Sequence, residues 1–323
     1  MNAIETRKWE LENCRPDPTL DEETVNAYWE RMLAQHANRP LDVTRTPEAT
    51  PYPLMEVSQV TYKGFDETPI HCWHIQPAVA DSSDVPRPCI VKFQGYTGDR
   101  GFPERYAPLL IMGYSVLAVD IRGQGGETGN LLPMESGVRR GWITQGIMDK
   151  ERSYYMALAI DAVRAVETAA LLPGVDPNKI AVNGGSQGGG LSLLAGALSK
   201  RVAAIVADIP NMCRLDFGVL NSTSSLTEIA DYIKRYPERM EAILENLAYF
   251  DMVNLAPRIE APVLMSVGWK DTVCMPETIY AAYHRIRSTK QICDYPFSGH
   301  EVGELHNRRA AEFMLHHLGG TSE

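Results

Sequence analysis

With 323 residues, 44% of them apolar, the chain can bury a large core, and its formal net charge of −10 argues against nucleic acid or an anionic membrane surface as its main partner. Its six cysteines (Cys14, Cys72, Cys89, Cys213, Cys274, Cys293) contain no Cys-x-x-Cys pair, so free thiols are expected rather than a zinc site or a disulfide framework. No uncharged apolar run approaches the ~18 residues needed to cross a bilayer, and Met1 to Lys8 lack the apolar core of a signal peptide, which predicts a cytoplasmic protein.

In chain order, residues 19–36 read as a polar helix opened by Thr19 and Asp21, followed by a crossing through Pro40, Pro47, Pro51 and Pro53. Residues 1–53 are therefore expected to form an N-terminal extension. The alternating stretches 55–62 and 70–76 predict an antiparallel hairpin. Short apolar runs then follow at 89–93, 114–120, 180–183, 202–208, 263–267 and 291–295. Helical patterns at 103–112, 150–172, 191–198 and 276–286 separate most of them. Strands alternating with helices predict an α/β fold, a mostly parallel twisted sheet with helices on both faces. Residues 210–256 exceed what a strand-to-helix connection needs and carry helical patterns at 226–236 and 238–249. They predict a helical cap over the carboxyl ends of the strands. No internal repeat is present, and one domain spanning 1–323 is expected.

The chemistry centres on Gly184-Gly185-Ser186-Gln187-Gly188, which follows the apolar run at 180–183. A Gly-x-Ser-x-Gly corner between strand and helix holds its serine in a strained turn, with glycines leaving room for close backbone approach. A serine hydroxyl needs a histidine to take its proton and a carboxylate to orient that histidine. Asp271 follows the run at 263–267, and His300 follows the run at 291–295 and precedes a final helical pattern at 302–318. The chain order Ser, Asp, His is that of the α/β-hydrolases. Asp271 could also simply cap the next helix. Asp231 and Asp251 are rival acids inside the insertion, and among the eight histidines only His300 stands at a strand end. An oxyanion site needs two fixed amides, one following the nucleophile and one from an earlier strand loop, and Gln187 and Tyr96 fit those places. Arg122, after another strand end, is expected to brace loop carbonyls or Glu301.

Arg122-Gly123-Gln124, Gly184-Gly185-Ser186-Gln187-Gly188 and His300-Glu301 together resemble the acetyl xylan esterase and cephalosporin-C deacetylase family, carbohydrate esterase family seven. Gly95-Tyr96-x-Gly98, Asp161-x-x-Arg164-Ala165-x-Glu167 and Gly268-Trp269-x-Asp271 extend the likeness from about residue 50 to the end. The resemblance implies an α/β-hydrolase that removes acetyl groups from small oxygen esters without a cofactor or metal. Ser186, Asp271 and His300 would form its triad, Tyr96 and Gln187 its oxyanion donors, and Arg122, Gln124 and Glu301 its support. It also implies a homo-hexamer of two stacked trimers. The chain departs from the family after Asp149, where Lys150 and then Ser153-Tyr154-Tyr155-Met156 replace a Pro and a Tyr-rich run. A general short-chain carboxylesterase, a lactone hydrolase, a peptidase or a non-catalytic binding protein on the same fold are the other readings.

Overall fold

The computed structural model describes residues 1–78, 85–134, 137 and 140–319. Its frame is a sheet of β1 (Thr44–Glu48), β2 (Met55–Lys63), β3 (Pro69–Pro77), β4 (Arg87–Phe93), β5 (Ser115–Val119), β6 (Val175–Gly185), β7 (Val202–Asp208), β8 (Val263–Gly268) and β9 (Lys290–Tyr295). The strands lie in the order β1-β2-β3-β5-β4-β6-β7-β8-β9. Pairings are antiparallel from β1 through β3 to β5, and parallel from β5 to β9.

The parallel strands are apolar on both faces because helices cover both. On one face Val91, Phe93, Leu117, Val182, Ile205 and Met265 pack with α4 (Tyr154–Ala169) and α5 (Gln187–Leu198). On the other, Ile90, Ala181, Val206 and Leu264 meet Phe313, Met314 and Leu318 of α11 (Glu304–Leu318). The switch of face at each residue is the two-residue period of a strand. Helix α4 is apolar nearly all round and almost wholly buried, and Ser153 caps it by accepting the Met156 amide at 3.1 Å.

The remaining helices are α1 (Ala3–Glu12), α2 (Glu22–Ala37), α3 (Ala107–Ile111), α6 (Leu215–Asn221), α7 (Thr227–Arg235), α8 (Met240–Ala248), α9 (Met252–Leu255) and α10 (Pro276–Arg285). Helices α6 to α9 lie between β7 and β8, within the residues read as the insertion. Helix α2 docks beside them through Trp29, whose indole N–H donates to the Tyr249 carbonyl at 2.9 Å.

Two local expectations need correction, and one helix was not anticipated. The proline-rich crossing contains β1, which pairs with β2 along Thr44–Glu48; Pro47 is tolerated because β1 is an edge strand, exposed along its whole length. Helix α1 gave no apolar period because it buries only Leu11. It is held by an Asn2–Glu5 capping box and an Arg7–Glu277 ion pair at 2.6 Å. Helix α5 begins at Gln187 rather than at 191, so Gly188, Gly189 and Gly190 are helical despite their low propensity. Close packing explains them: a Cβ on Gly188 would lie 2.3 Å from the Phe93 carbonyl oxygen, and one on Gly189 2.8 Å from that of Asp208.

Candidate active site

Ser186 sits between the end of β6 and the start of α5 with φ 57° and ψ −120°, a backbone conformation that a non-glycine residue adopts only when its surroundings over-determine it. Here they do. Its amide donates to the Asp208 carbonyl at 2.9 Å, and its carbonyl accepts from the Gly190 and Asn211 amides at 3.0 and 2.9 Å. The result places the hydroxyl at the carboxyl edge of the sheet.

His300 Nε2 lies 2.9 Å from Ser186 Oγ, and His300 Nδ1 lies 2.8 Å from Asp271 Oδ2. The Asp271 side chain is fully buried. Its other oxygen accepts the Val273 and Cys274 amides at 2.7 and 3.0 Å, so it closes the loop after β8 while facing the imidazole. It does not cap α10, whose N-cap is Met275. The rival acids are engaged elsewhere. Asp251 is the N-cap of α9 and accepts the Arg214, Leu215 and Val253 amides, while Asp231 on α7 pairs with Arg140 at 3.6 Å.

The Cys274 thiol stands beside Ser186, and burial, outweighing that contact, raises its pKa. A thiol held protonated is a poor nucleophile, so it leaves attack to the serine.

Gln187 follows Ser186, and the loop of Tyr96 lies against the same turn, where a Cβ on Gly95 would fall 3.7 Å from the Gly185 carbonyl oxygen; among the described residues neither backbone amide meets a protein acceptor. Their side chains point into scaffolding. Gln187 and Gln124 exchange side-chain amide hydrogen bonds at 2.8 and 3.1 Å, and Gln124 Oε1 also accepts the Thr97 amide at 2.8 Å. Gln124 thereby joins the turn carrying Ser186 to the loop carrying Tyr96. It is itself within 2.9 Å of Tyr154 Oη, which donates to the Arg122 carbonyl at 2.6 Å.

Arg122 does not meet Glu301. Its guanidinium forks onto Asp161 at 2.6 and 2.9 Å and reaches Asp66 at 3.0 Å and Asn130 at 3.3 Å. The reason is burial: a side chain only 1% exposed needs carboxylates that are buried with it, whereas Glu301 is exposed and makes no hydrogen bond or ion pair among the described residues. Loop carbonyls are instead braced by Arg164, which donates to the Arg39 and Pro40 carbonyls at 3.2 and 2.7 Å and also to that of Lys63.

Sequence reasoning missed the roles of Tyr154 at the start of α4 and of Glu228 of α7, which accepts the Tyr96 hydroxyl at 2.8 Å. Ser153, a helix N-cap residue type directly before Tyr154, was the available signal for the first; nothing local marked the second.

A mostly parallel, helix-covered sheet with serine, acid and histidine meeting at its carboxyl edge defines an α/β-hydrolase. Archaeal structures with little sequence likeness share this fold, including the Pyrococcus horikoshii acylaminoacyl peptidase at 17% identity, covering 84% of this chain and 43% of that one with a TM-score of 0.61.

The chain belongs to the acetyl xylan esterase (AXE1) family, whose profile it matches over residues 1–317. The acetyl xylan esterase from Paenibacillus sp. R4 is 33% identical, covering 96% of this chain and 99% of that one with a TM-score of 0.91. Acetyl xylan esterase 1 from Thermoanaerobacterium sp. JW/SL YS485 is 29% identical, covering 98% of both chains with a TM-score of 0.86. The acetyl esterase Axe7A of Xylanibacter ruminicola is 33% identical over 162 residues, which are 50% of this chain and 36% of that longer protein. The match thus spans about a third of that curated relative. Among the described residues no helix is long and apolar enough to cross a membrane.

Proposed function

We propose that this protein is a serine esterase that releases acetate from small acetyl esters through an acetyl-enzyme. The observation that carries the reading is the unbroken hydrogen-bond line from Ser186 through His300 to Asp271, beside two amides with no protein acceptor. In the first half-reaction His300 Nε2 takes the hydroxyl proton as Ser186 Oγ attacks the acetyl carbonyl carbon. Asp271 keeps the Nδ1 proton facing it and stabilises the imidazolium. The Tyr96 and Gln187 amides hold the tetrahedral oxyanion, and collapse expels the alcohol, which leaves with the proton from His300. Water then attacks the acetyl-enzyme with His300 as base, and acetate leaves as Ser186 regains its proton.

The acetylated substrates named for the relatives support acetylated xylo-oligosaccharides as substrates, and the family likeness adds cephalosporin C type acetates and assembly into a hexamer. Ser186→Ala should lower kcat on an aryl acetate by about ten-thousand-fold or more, with its thermal stability retained. A folded Ser186→Ala protein with more than a hundredth of the parent rate would refute the mechanism. Equal rates on acetate and butyrate esters would turn the assignment to a general carboxylesterase. Light scattering of the purified protein reads the assembly.

A further inference from the structure

We infer that Glu228 of cap helix α7 is a positioning residue that aims the Tyr96 amide at the oxyanion, an inference that rests on the function proposed above. The carboxylate is buried, and it accepts the Tyr96 hydroxyl with both oxygens, at 2.8 and 3.0 Å. A carboxylate can only accept, so it forces the phenol to donate. The lone pairs of the same phenol oxygen then face the Trp142 amide, which donates to it at 3.0 Å. The Trp142 ring meets that of Tyr96 edge-on, with centroids 5.5 Å apart and planes at 79°.

The segment around Gly141 is folded directly onto this carboxylate. Gly141 has φ 64°, and a Cβ there would lie 2.0 Å from Glu228 Oε1, so only glycine lets the chain pass. Arg140 binds the start of the same helix through Thr227 Oγ1. One buried oxygen pair in the cap therefore gathers the tip of Tyr96 and the 140–142 strap.

The backbone consequence follows from a second anchor. Thr97, the next residue, has φ 65°, and its amide is held by Gln124 at 2.8 Å. The Tyr96 peptide is thus fixed from the Thr97 side by Gln124 and through its own side chain by Glu228. Its free amide lies just before the Cα that both hold, in the peptide whose Gly95 carbonyl accepts the Gly98 amide at 3.0 Å. Releasing the phenol removes the side-chain anchor and leaves only the turn's backbone contacts, and a donor that turns by a few tenths of an ångström loses most strength where the transition-state charge is greatest. Ground-state binding of an uncharged ester depends on it far less.

The test compares kcat and KM on an aryl acetate for Glu228→Ala, Glu228→Gln, Tyr96→Phe, the Tyr96→Phe/Glu228→Ala pair and Ser186→Ala. Glu228→Ala and Tyr96→Phe should each lower kcat by about 10- to 100-fold, less than the ~100- to 1000-fold for losing an oxyanion donor outright, with KM changed less than about 3-fold. The pair should be no worse than about 3-fold below the poorer single variant, because both changes cut the same link. Glu228→Gln, which can still accept from the phenol, should recover to within about 5-fold of the parent. Parent-like kcat in Tyr96→Phe, or losses that multiply in the pair, overturn the inference. Should Glu228→Ala not fold, Tyr96→Phe and Glu228→Gln decide it alone. Activity retained by Ser186→Ala would instead sink the proposed mechanism, a separate outcome.

Discussion

Replacing Arg122 by Ala is expected to destabilise the fold through carboxylates that it leaves behind. Arg122 is 1% exposed and is shared as ion-pair partner by Asp161 and Asp66, and among the described residues one oxygen of Asp66 has no hydrogen-bond partner. Deleting one member of a buried ion pair strands the other charge and costs roughly 3–5 kcal/mol. At about 2.1 cal/mol/K per residue, 323 residues give an unfolding entropy near 0.7 kcal/mol/K, so the midpoint should fall by about 4–7 °C. Scanning calorimetry at neutral pH reads this shift directly. Asp161→Asn should cost less alone, and combining it with Arg122→Ala should cost clearly less than the sum, since only Asp66 is then left as a stranded charge. A midpoint change under about 1 °C for Arg122→Ala, or additive losses in the pair, would refute the reasoning. Activity should fall as well, because Tyr154 holds both the Arg122 carbonyl and Gln124, which steadies the loop of Tyr96.

Gly188→Ala should fail to accumulate as folded protein, since its Cβ would meet backbone atoms of Phe93 at 2.3 and 2.8 Å, and neither main chain can retreat; soluble yield and circular dichroism check it, and a folded, active variant would show that the corner can relax. His306 carries the pH prediction. It is buried on α11, with Nε2 2.6 Å from Asp208 and Nδ1 3.1 Å from the Tyr295 hydroxyl, while Cys293 and Arg309 face the same cluster. Burial opposes its charge, yet the Asp208 and Cys293 contacts outweigh it and push the pKa from 6.5 up to about 9. A raised histidine pKa means that the folded state holds the proton more tightly. The stabilisation is complete below pH 6.5, declines as pH rises and is gone above about 9. Relative to the parent, His306→Gln should therefore melt lower at pH 6 and converge towards it by about pH 10. A gap between the two that is constant over that range would count against a protonated His306.

What could be read from the chain alone follows from how far apart the interacting residues are. Ser186, Asp271 and His300 each stand where an apolar strand run stops, so each announces its place at the sheet edge by a local change of period, and the fold class follows from the same alternation. The partners that hold them are set by separations that no window spans: 39 residues from Arg122 to Asp161, 63 from Gln124 to Gln187 and 132 from Tyr96 to Glu228. Arg122 shows the asymmetry clearly. That a buried arginine must find carboxylates is general physics, but choosing Asp161 over Glu301 required knowing that α4 lies beneath the loop after β5 while Glu301 faces solvent. Helix α5 shows the reverse case, since three consecutive glycines argue locally against a helix and only the contacts with β4 and with the chain after β7 explain why they form one. Ion pairs and close approaches of this kind are where tertiary contact overrides local preference, and here they surround the nucleophile. The strained φ of Ser186 and the unengaged amide of Gln187 are held by them, so the residues that chemistry names first depend on neighbours that only the folded chain brings near.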